Sequence, residues 1–285
     1  MSTQGVAGRS IDINVDAGES FGRWRVADEA GVFPYVSSVN LACGFHAGDP
    51  ANLLRSIAMA FEHGLSLGAH PGYPDKVGFG RRDMQLADHE LLADTVYQLG
   101  ALDGLVRAAT RGSVRDPAGD GQARAAHAAQ LGHVKAHGAL YQRTMSDRAA
   151  AVAFVRAVTL YDAGLAVLVL AGPGGAIMRE TAADAGLRTV DEAFPDRAYL
   201  RSGSLAPRAM NGAVLTDPEL IAERAVAMAI GRPFKALDGG EAVVTAETLC
   251  LHGDGASAPE AARAVHRALT SAGVSVRSFR VPMAT

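Results

Sequence analysis

With 285 residues, 48% of them hydrophobic and only 20% charged, the chain has the apolar material for a large core, which sets aside a disordered or fibrous protein. A formal net charge of −3, with Lys and Arg scattered rather than gathered into runs, argues against nucleic acid or anionic membrane as partners. The opening MSTQGVAGRS lacks the apolar stretch of a secretory signal, no apolar run could span a bilayer, and two cysteines make no disulfide framework, so a cytoplasmic setting is expected.

Along the chain, short apolar strands alternate with amphipathic helices. Strands are expected at 11–14, 36–43, 65–70, 133–137, 165–171, 187–190 and 243–252. Asp49-Pro50 opens a helix whose face is Leu53, Leu54, Ile57, Ala58 and Phe61, and Gly64 ends it. Asp217-Pro218 repeats the device before Ile221, Ala225, Val226 and Ile230, and Ser257 with Glu260 reads as a capping box. Residues 110–130 are rich in Gly, Ala, Asp and Arg without an apolar face, and are expected to be a solvated, mobile insertion. Such alternation implies parallel strands with right-handed crossovers. Polar residues follow nearly every strand rather than one crevice, which favours a closed α/β barrel over an open doubly wound sheet. One domain over 1–285 is expected.

Six segments concentrate polar residues at strand ends. In DINVDAGES, alternation sends Asp12, Asn14 and Asp16 to one side and Ile11, Ile13 and Val15 to the other, with Glu19 beyond. Carboxylates turned into a barrel are costly unless paired or functional. NLACGFHAGD carries Asn40, Cys43, His46 and Asp49, the last read as a helix cap. GAHPGYPD offers His70, and GFGRR offers Arg81 and Arg82, either suited to fork onto a carboxylate or phosphate. HVKAHGALY puts Lys135 and His137 on one face with His133. EAFPDRAY and SLAPR supply Glu192, Asp196, Arg197 and Arg208, and CLHGD supplies Cys250, His252 and Asp254. Four histidines, His46, His70, His137 and His252, thus fall at four strand ends, as a barrel site requires.

Other readings are weaker. A structural zinc site from Cys43, His46, Cys250 and His252 lacks paired knuckle spacing. No metal ligand set is assigned, although a divalent ion held by His and Asp stays open as an alternative. LAGPGGA, residues 170–176, lacks a P-loop signature and is read as a tight turn, and no dinucleotide fingerprint occurs.

Taken together, DINVDAGES, VNLACGFHAGDP, GAHPGYPD with GFGRR, HVKAHGALY, EAFPDRAY with GSLAPR, and CLHGDG resemble the LamB/YcsF family, the A components of prokaryotic 5-oxoprolinase. The chain departs from the family in reading NVDAGES for the usual NADLGE, KAHG for KPHG, and in a longer insertion before His133. None of these removes an Asp, His or Lys. The resemblance implies a distorted seven-stranded β/α barrel of the glycoside hydrolase and deacetylase type. It implies ATP-dependent opening of 5-oxo-L-proline to L-glutamate in a complex with PxpB- and PxpC-like proteins, ATP being used by the complex. On that footing Asp16, His46, His70, Lys135 and His137 are the expected catalytic residues: Asp16 with His46 or His70 deprotonates water, and His137 protonates the leaving nitrogen. Asp12, Asn14, Asn40, Arg81, Glu192, Arg208, His252 and Asp254 are the expected substrate-binding residues. Two rival functions are a metal-dependent deacetylase or carbohydrate hydrolase, and a non-catalytic regulatory partner; whether the chain forms a homo-oligomer is left open.

Overall fold

The first strand, β1 (Ser10–Ala17), shows how the sequence builds the frame, since its apolar and polar residues alternate over eight positions. In the computed structural model, which describes residues 8–111, 130–252 and 257–279, Ile11, Ile13 and Val15 join the main hydrophobic core. Asn14 and Asp16 instead reach across to Thr248 and Asn40 on other strands and to Lys135 just past the end of another. The polar face therefore lines the inside of a barrel.

The further strands are β2 (Ser38–Ala42), β3 (Ser66–His70), β4 (Leu131–Val134), β5 (Ala166–Leu170), β6 (Thr189–Ala193), β7 (Phe234–Lys235), β8 (Glu241–Ala242), β9 (Thr248–Leu251) and β10 (Ser275–Val276). Seven of them, β1 to β6 and β9, form a parallel ring in that order, and β9 pairs back onto β1 to close it. Closure removes the exposed sheet edges. β7 and β8 make a separate antiparallel hairpin, and β10 pairs with the start of β1.

The ring is surrounded by α1 (Glu29–Val32), α2 (Pro50–Glu62), α3 (Asp88–Thr110), α4 (Gly138–Ser146), α5 (Arg148–Tyr161), α6 (Ala176–Asp184), α7 (Pro218–Ile230) and α8 (Ala258–Ser271). Asp49 caps α2 through the amides of Ala51 and Asn52, and Asp217 caps α7 through Glu219, as their Asp-Pro pairs predict. Ser257 occupies the N-cap of α8 without a side-chain bond, so the capping box expected with Glu260 does not form. Its backbone, with ψ at 8°, is not the extended one a cap needs. Four helices end alike, α7 doing so through Gly231 and the Arg232 amide, which donates to Ala227. Gly64, Gly186 and Gly273 take positive φ, and the next residue, Leu65, Leu187 or Val274, donates its amide back to Ala60, Ala182 or Leu269.

That ending moves two expected strand starts. Leu65 closes α2, so β3 begins at Ser66. Leu187 belongs to the close of α6, so β6 starts at Thr189 and carries Glu192 inside the strand. The expected strand 243–252 shortens to Thr248–Leu251, because the chain leaves the β7–β8 hairpin at Ala242 and pairs with β1 only from Thr248. Of the insertion at 110–130, residues 112–129 lie outside the described residues; Thr110 itself ends α3.

Inside the barrel, side chains stack in layers. Ala166, Leu168 and Val190 pack with Phe279 toward the strand starts, and His133 meets the Phe279 ring edge-on at 5.3 Å. Gly68, paired with His133 across β3 and β4, leaves that imidazole its space, because a Cβ there would collide with the ring. Polar residues fill the layers above, toward the strand ends. No described helix is long and apolar enough to cross a membrane.

Candidate active site

Depth along the barrel decides what each inward residue can do. Asp12 lies deepest on β1, buried, and accepts from the hydroxyls of Ser37, Ser38 and Thr248; burial above all pushes its pKa up to about 6 against those bonds. Asn14 donates to Thr248 at 2.8 Å and accepts from Asn40 at 2.7 Å, and Asn40 in turn accepts from His133 at 2.8 Å. Asp12, Asn14 and Asn40, expected to touch substrate, therefore sit beneath the floor of the cavity with their polar atoms engaged by the protein. They support the floor.

The floor itself is an ion network around Lys135. Its Nζ lies 2.9 Å from Asp16 Oδ1, 3.0 Å from Glu192 Oε1 and 3.0 Å from Cys250 Sγ, with 3% of the residue exposed. Burial alone would strip its proton, but the charge of Asp16 leads the groups that hold its pKa well above the lysine range. Burial likewise opposes the ionised form of Asp16, and His70 and Lys135 overcome it to keep that carboxyl well below the carboxylate range. Asp16 also accepts from Asn40 Nδ2 at 2.8 Å. Glu192 is fully buried, so it neutralises Lys135 from below and does not face the cavity.

Beside Asp16 stand three imidazoles. His46 and His137 stack with centroids 3.7 Å apart at 7°, and His70 meets both edge-on. The turn GYPDKVGFG makes room for them: a Cβ on Gly72 would lie 2.6 Å from His46 Nδ1, and one on Gly80 2.7 Å from His46 Cβ. Burial first, and then the neighbouring imidazoles, lower the pKa of His46 and His137 well below the usual value, so both rings are neutral. Glu19 Oε1 lies 3.4 Å from His46 Nε2 and 3.4 Å from His137 Nδ1.

Above the floor opens a cavity of about 840 Å³ lined by Asp16, His70, Lys135, His137 and residues of the later loops. Arg81 and Arg208 are exposed at its mouth. Arg143 and Arg197 also line it but donate to Met84 and Tyr73, and to Ala206 and Ala213. Arg82 is held by Asp75. On the far wall His252 Nδ1 lies 2.5 Å from Asp196 Oδ2, and Arg208 Nη2 lies 2.9 Å from His252 Nε2. Burial would lower the pKa of His252, but the Asp196 carboxylate raises it above the ordinary value.

The structure thus brings together Asp16, His46, His70, Lys135, His137, Arg81, Arg208 and His252, and sets Asp12, Asn14, Asn40 and Glu192 below them. Asp254 lies outside the described residues. The LAGPGGA turn does not line the cavity; Arg179 spans its carbonyls at Leu170 and Gly172. Cys43 does not join a metal cluster: its thiol points to the Leu41 carbonyl, and burial pushes its pKa up to about 12. Two site residues escape assignment from sequence. Glu19 follows Gly18, whose positive φ ends the alternation that exposes Asp16, and Asp196 meets its partner 56 residues away.

The sequence matches the profile of the LamB/YcsF family over residues 11–115 and 118–284. It is 49% identical over 269 residues to the A component of 5-oxoprolinase from Thermus thermophilus, covering 94% of this chain and 99% of that protein. One of the 5-oxoprolinase A components of Pseudomonas syringae pv. tomato is 43% identical over 271 residues, covering 95% and 98%. A crystal structure of a lactam utilization protein from Thermus thermophilus superposes with a TM-score of 0.84 at 49% identity, over 95% of this chain and 100% of that one.

Proposed function

Since the chain belongs to the LamB/YcsF family, we propose that it is the A component of a multi-subunit 5-oxoprolinase and hosts the hydrolytic opening of 5-oxo-L-proline to L-glutamate. The observation that carries this reading is the pair of buried Lys135 with partly buried Asp16, under a cavity whose mouth presents Arg81 and Arg208. A small anionic amide fits such a place: arginines take its carboxylate while the floor addresses its carbonyl.

The chemistry explains the need for ATP. A five-membered lactam is resonance-stabilised and nearly strain-free, whereas phosphorylation of its oxygen, at the expense of ATP used by the complex with PxpB- and PxpC-like proteins, makes the ring carbon electrophilic. Asp16, ionised and beside the cavity, takes the proton of the attacking water. The adduct then holds two leaving groups, phosphate and the ring nitrogen. Only if the nitrogen is protonated does the C–N bond break in preference, giving an acyl phosphate that water converts to glutamate and phosphate.

The proton donor is His252. His137 is less suited to that role, because its Nε2 is held by the Phe79 carbonyl at 2.8 Å and its Nδ1 faces His70. Arg208 meets Nε2 of neutral His252; a bound anion that draws Arg208 away leaves that nitrogen to carry the proton Asp196 stabilises. An acid must be protonated, so activity falls as pH rises through its pKa. In Asp196→Asn the carboxylate that raises His252 is gone, and the alkaline limb of kcat/KM moves to lower pH, toward or below the ordinary 6.5. An unmoved limb removes His252 from the acid role.

Glutamate release from 5-oxoproline and ATP tests the assignment. It is compared for this chain by itself, its partner proteins by themselves and the mixture, and only the mixture is expected to be active. Equal release by the partners without this chain makes it a regulator. Release of acetate from N-acetylated sugars without ATP makes it a deacetylase.

A further inference from the structure

Two backbone carbonyls fix the tautomers at the heart of the histidine cluster. His70 Nδ1 lies 2.7 Å from the Lys135 carbonyl, and His137 Nε2 lies 2.8 Å from the Phe79 carbonyl. A carbonyl only accepts, so both of those nitrogens carry hydrogen. The nitrogens left to offer a lone pair to a ligand are then His70 Nε2 and His137 Nδ1, and they face each other at 3.0 Å. Two carboxylates close on the same point: Glu19 Oε1 lies 3.4 Å from His137 Nδ1, and Asp16 Oδ2 lies 3.2 Å from His70 Nε2. Glu19, His46, His70 and His137 are all buried, and each brings one potential ligand atom to within 4.8 Å of the others.

We propose that His70 Nε2, His137 Nδ1 and Glu19 Oε1 bind one divalent first-row cation, of which zinc is the best match. Two neutral imidazoles and one carboxylate suit such an ion, and the absence of a thiolate among them leaves the set unlike a structural zinc knuckle. The separations of 3.0 and 3.4 Å are close to the roughly 3.4 Å edge of a tetrahedron with metal–ligand bonds of about 2.1 Å. Three protein donors would leave a fourth position for water or substrate, the arrangement of a catalytic ion. The carbonyls of Lys135 and Phe79 serve the ligands as orienting partners do in metal sites.

His46 has a different part. Its ring lies flat on His137, so the in-plane lone pairs of the two run parallel and do not converge on one ion. Placing hydrogen on Nε2 lets His46 donate to Glu19 and leaves Nδ1, which meets no partner, as an acceptor rather than a buried donor. Phe79 adds an independent sign. Among the described residues it is the non-glycine residue with positive φ (55°), a strained conformation that places its carbonyl on His137.

The rival occupant of the cluster is a shared proton, and the experiment separates the two without reference to substrate. Chelator-stripped full-length protein is titrated with Zn²⁺ by calorimetry and with Co²⁺ by visible absorption. Wild type is expected to take up one equivalent, with cobalt ligand-field bands of a four- or five-coordinate ion. His70→Ala, His137→Ala and Glu19→Gln each weaken binding about 100-fold or more, and exposed His89→Ala changes nothing. Because buried variants can fail to fold, ¹⁵N spectra of wild-type histidines provide a second reading: zinc shifts one Nε2 and one Nδ1. Absence of stoichiometric uptake, binding that survives in all three variants, or zinc shifts confined to Nε2 atoms overturns the proposal. The site rests on the 5-oxoprolinase reading only for its place beside the cavity. Glutamate release by the stripped and reloaded complex is measured separately, so a failed metal site and a failed 5-oxoprolinase assignment give different results.

Discussion

Asp16→Asn lowers glutamate release by the assembled enzyme about 10²–10⁴-fold, the usual cost of losing a positioned acid or base. The substitution is nearly isosteric and keeps its neighbours supplied, because the amide oxygen can accept from Lys135 and Asn40. Glu192 remains to neutralise Lys135, so the fold is retained. What is lost is a carboxylate that stays ionised although partly buried, the one property a base at this point needs. Asp12→Asn is the control. Asp12 shares the strand and the inward face but sits deeper, with its oxygens on Ser37, Ser38 and Thr248. Its replacement leaves kcat within a few-fold of wild type. Steady-state glutamate release by both variants, alongside urea unfolding, checks the pair; more than a tenth of wild-type turnover in Asp16→Asn removes that residue from the base role.

The contrast between Asp12 and Asp16 also shows how far the sequence is legible. Period-two alternation in DINVDA tells which side chains face inward, and the strand does turn Asp12, Asn14 and Asp16 to one side. It carries no information on depth. Depth comes from register, Asn14 beside Ser38 and Asp16 beside Asn40, which depends on how all seven strands stagger around the ring. Lys135, His70 and His137 were legible because they stand at strand ends, where a barrel opens. Glu19 was not, since alternation stops at Gly18, and Asp196 was not, since its meaning lies in a contact with His252 that no local pattern encodes. The missing capping box at Ser257 has the same root: residue types matched the motif while the backbone did not take the extended conformation that lets a hydroxyl reach back.

Lys135→Met destabilises the fold by about 3–5 kcal/mol at neutral pH, because it withdraws the cation that Asp16 and Glu192 share and leaves buried carboxylates without compensation. Methionine fills much of the volume, so a cavity is not the main cost. The pH dependence identifies the cause. Asp16 has a depressed pKa in the folded protein, so its contribution is present above about 3.8 and is lost as pH falls through the folded value. Lys135 has a raised pKa, so its contribution is complete below about 10.5 and is lost as pH rises through the folded value. Wild type therefore keeps the full network between those limits. In the variant the carboxylates, no longer paired, gain affinity for protons, and protonation relieves the penalty. The gap from wild type is expected to be widest near pH 8 and to shrink toward about pH 5. Lys135→Met with Glu192→Gln removes one of the stranded charges outright and restores part of the loss at pH 8. Urea midpoints and slopes across this pH range measure all three proteins. A gap that stays constant with pH, or a double variant no more stable than the single one, means that shape rather than charge holds Lys135 in place.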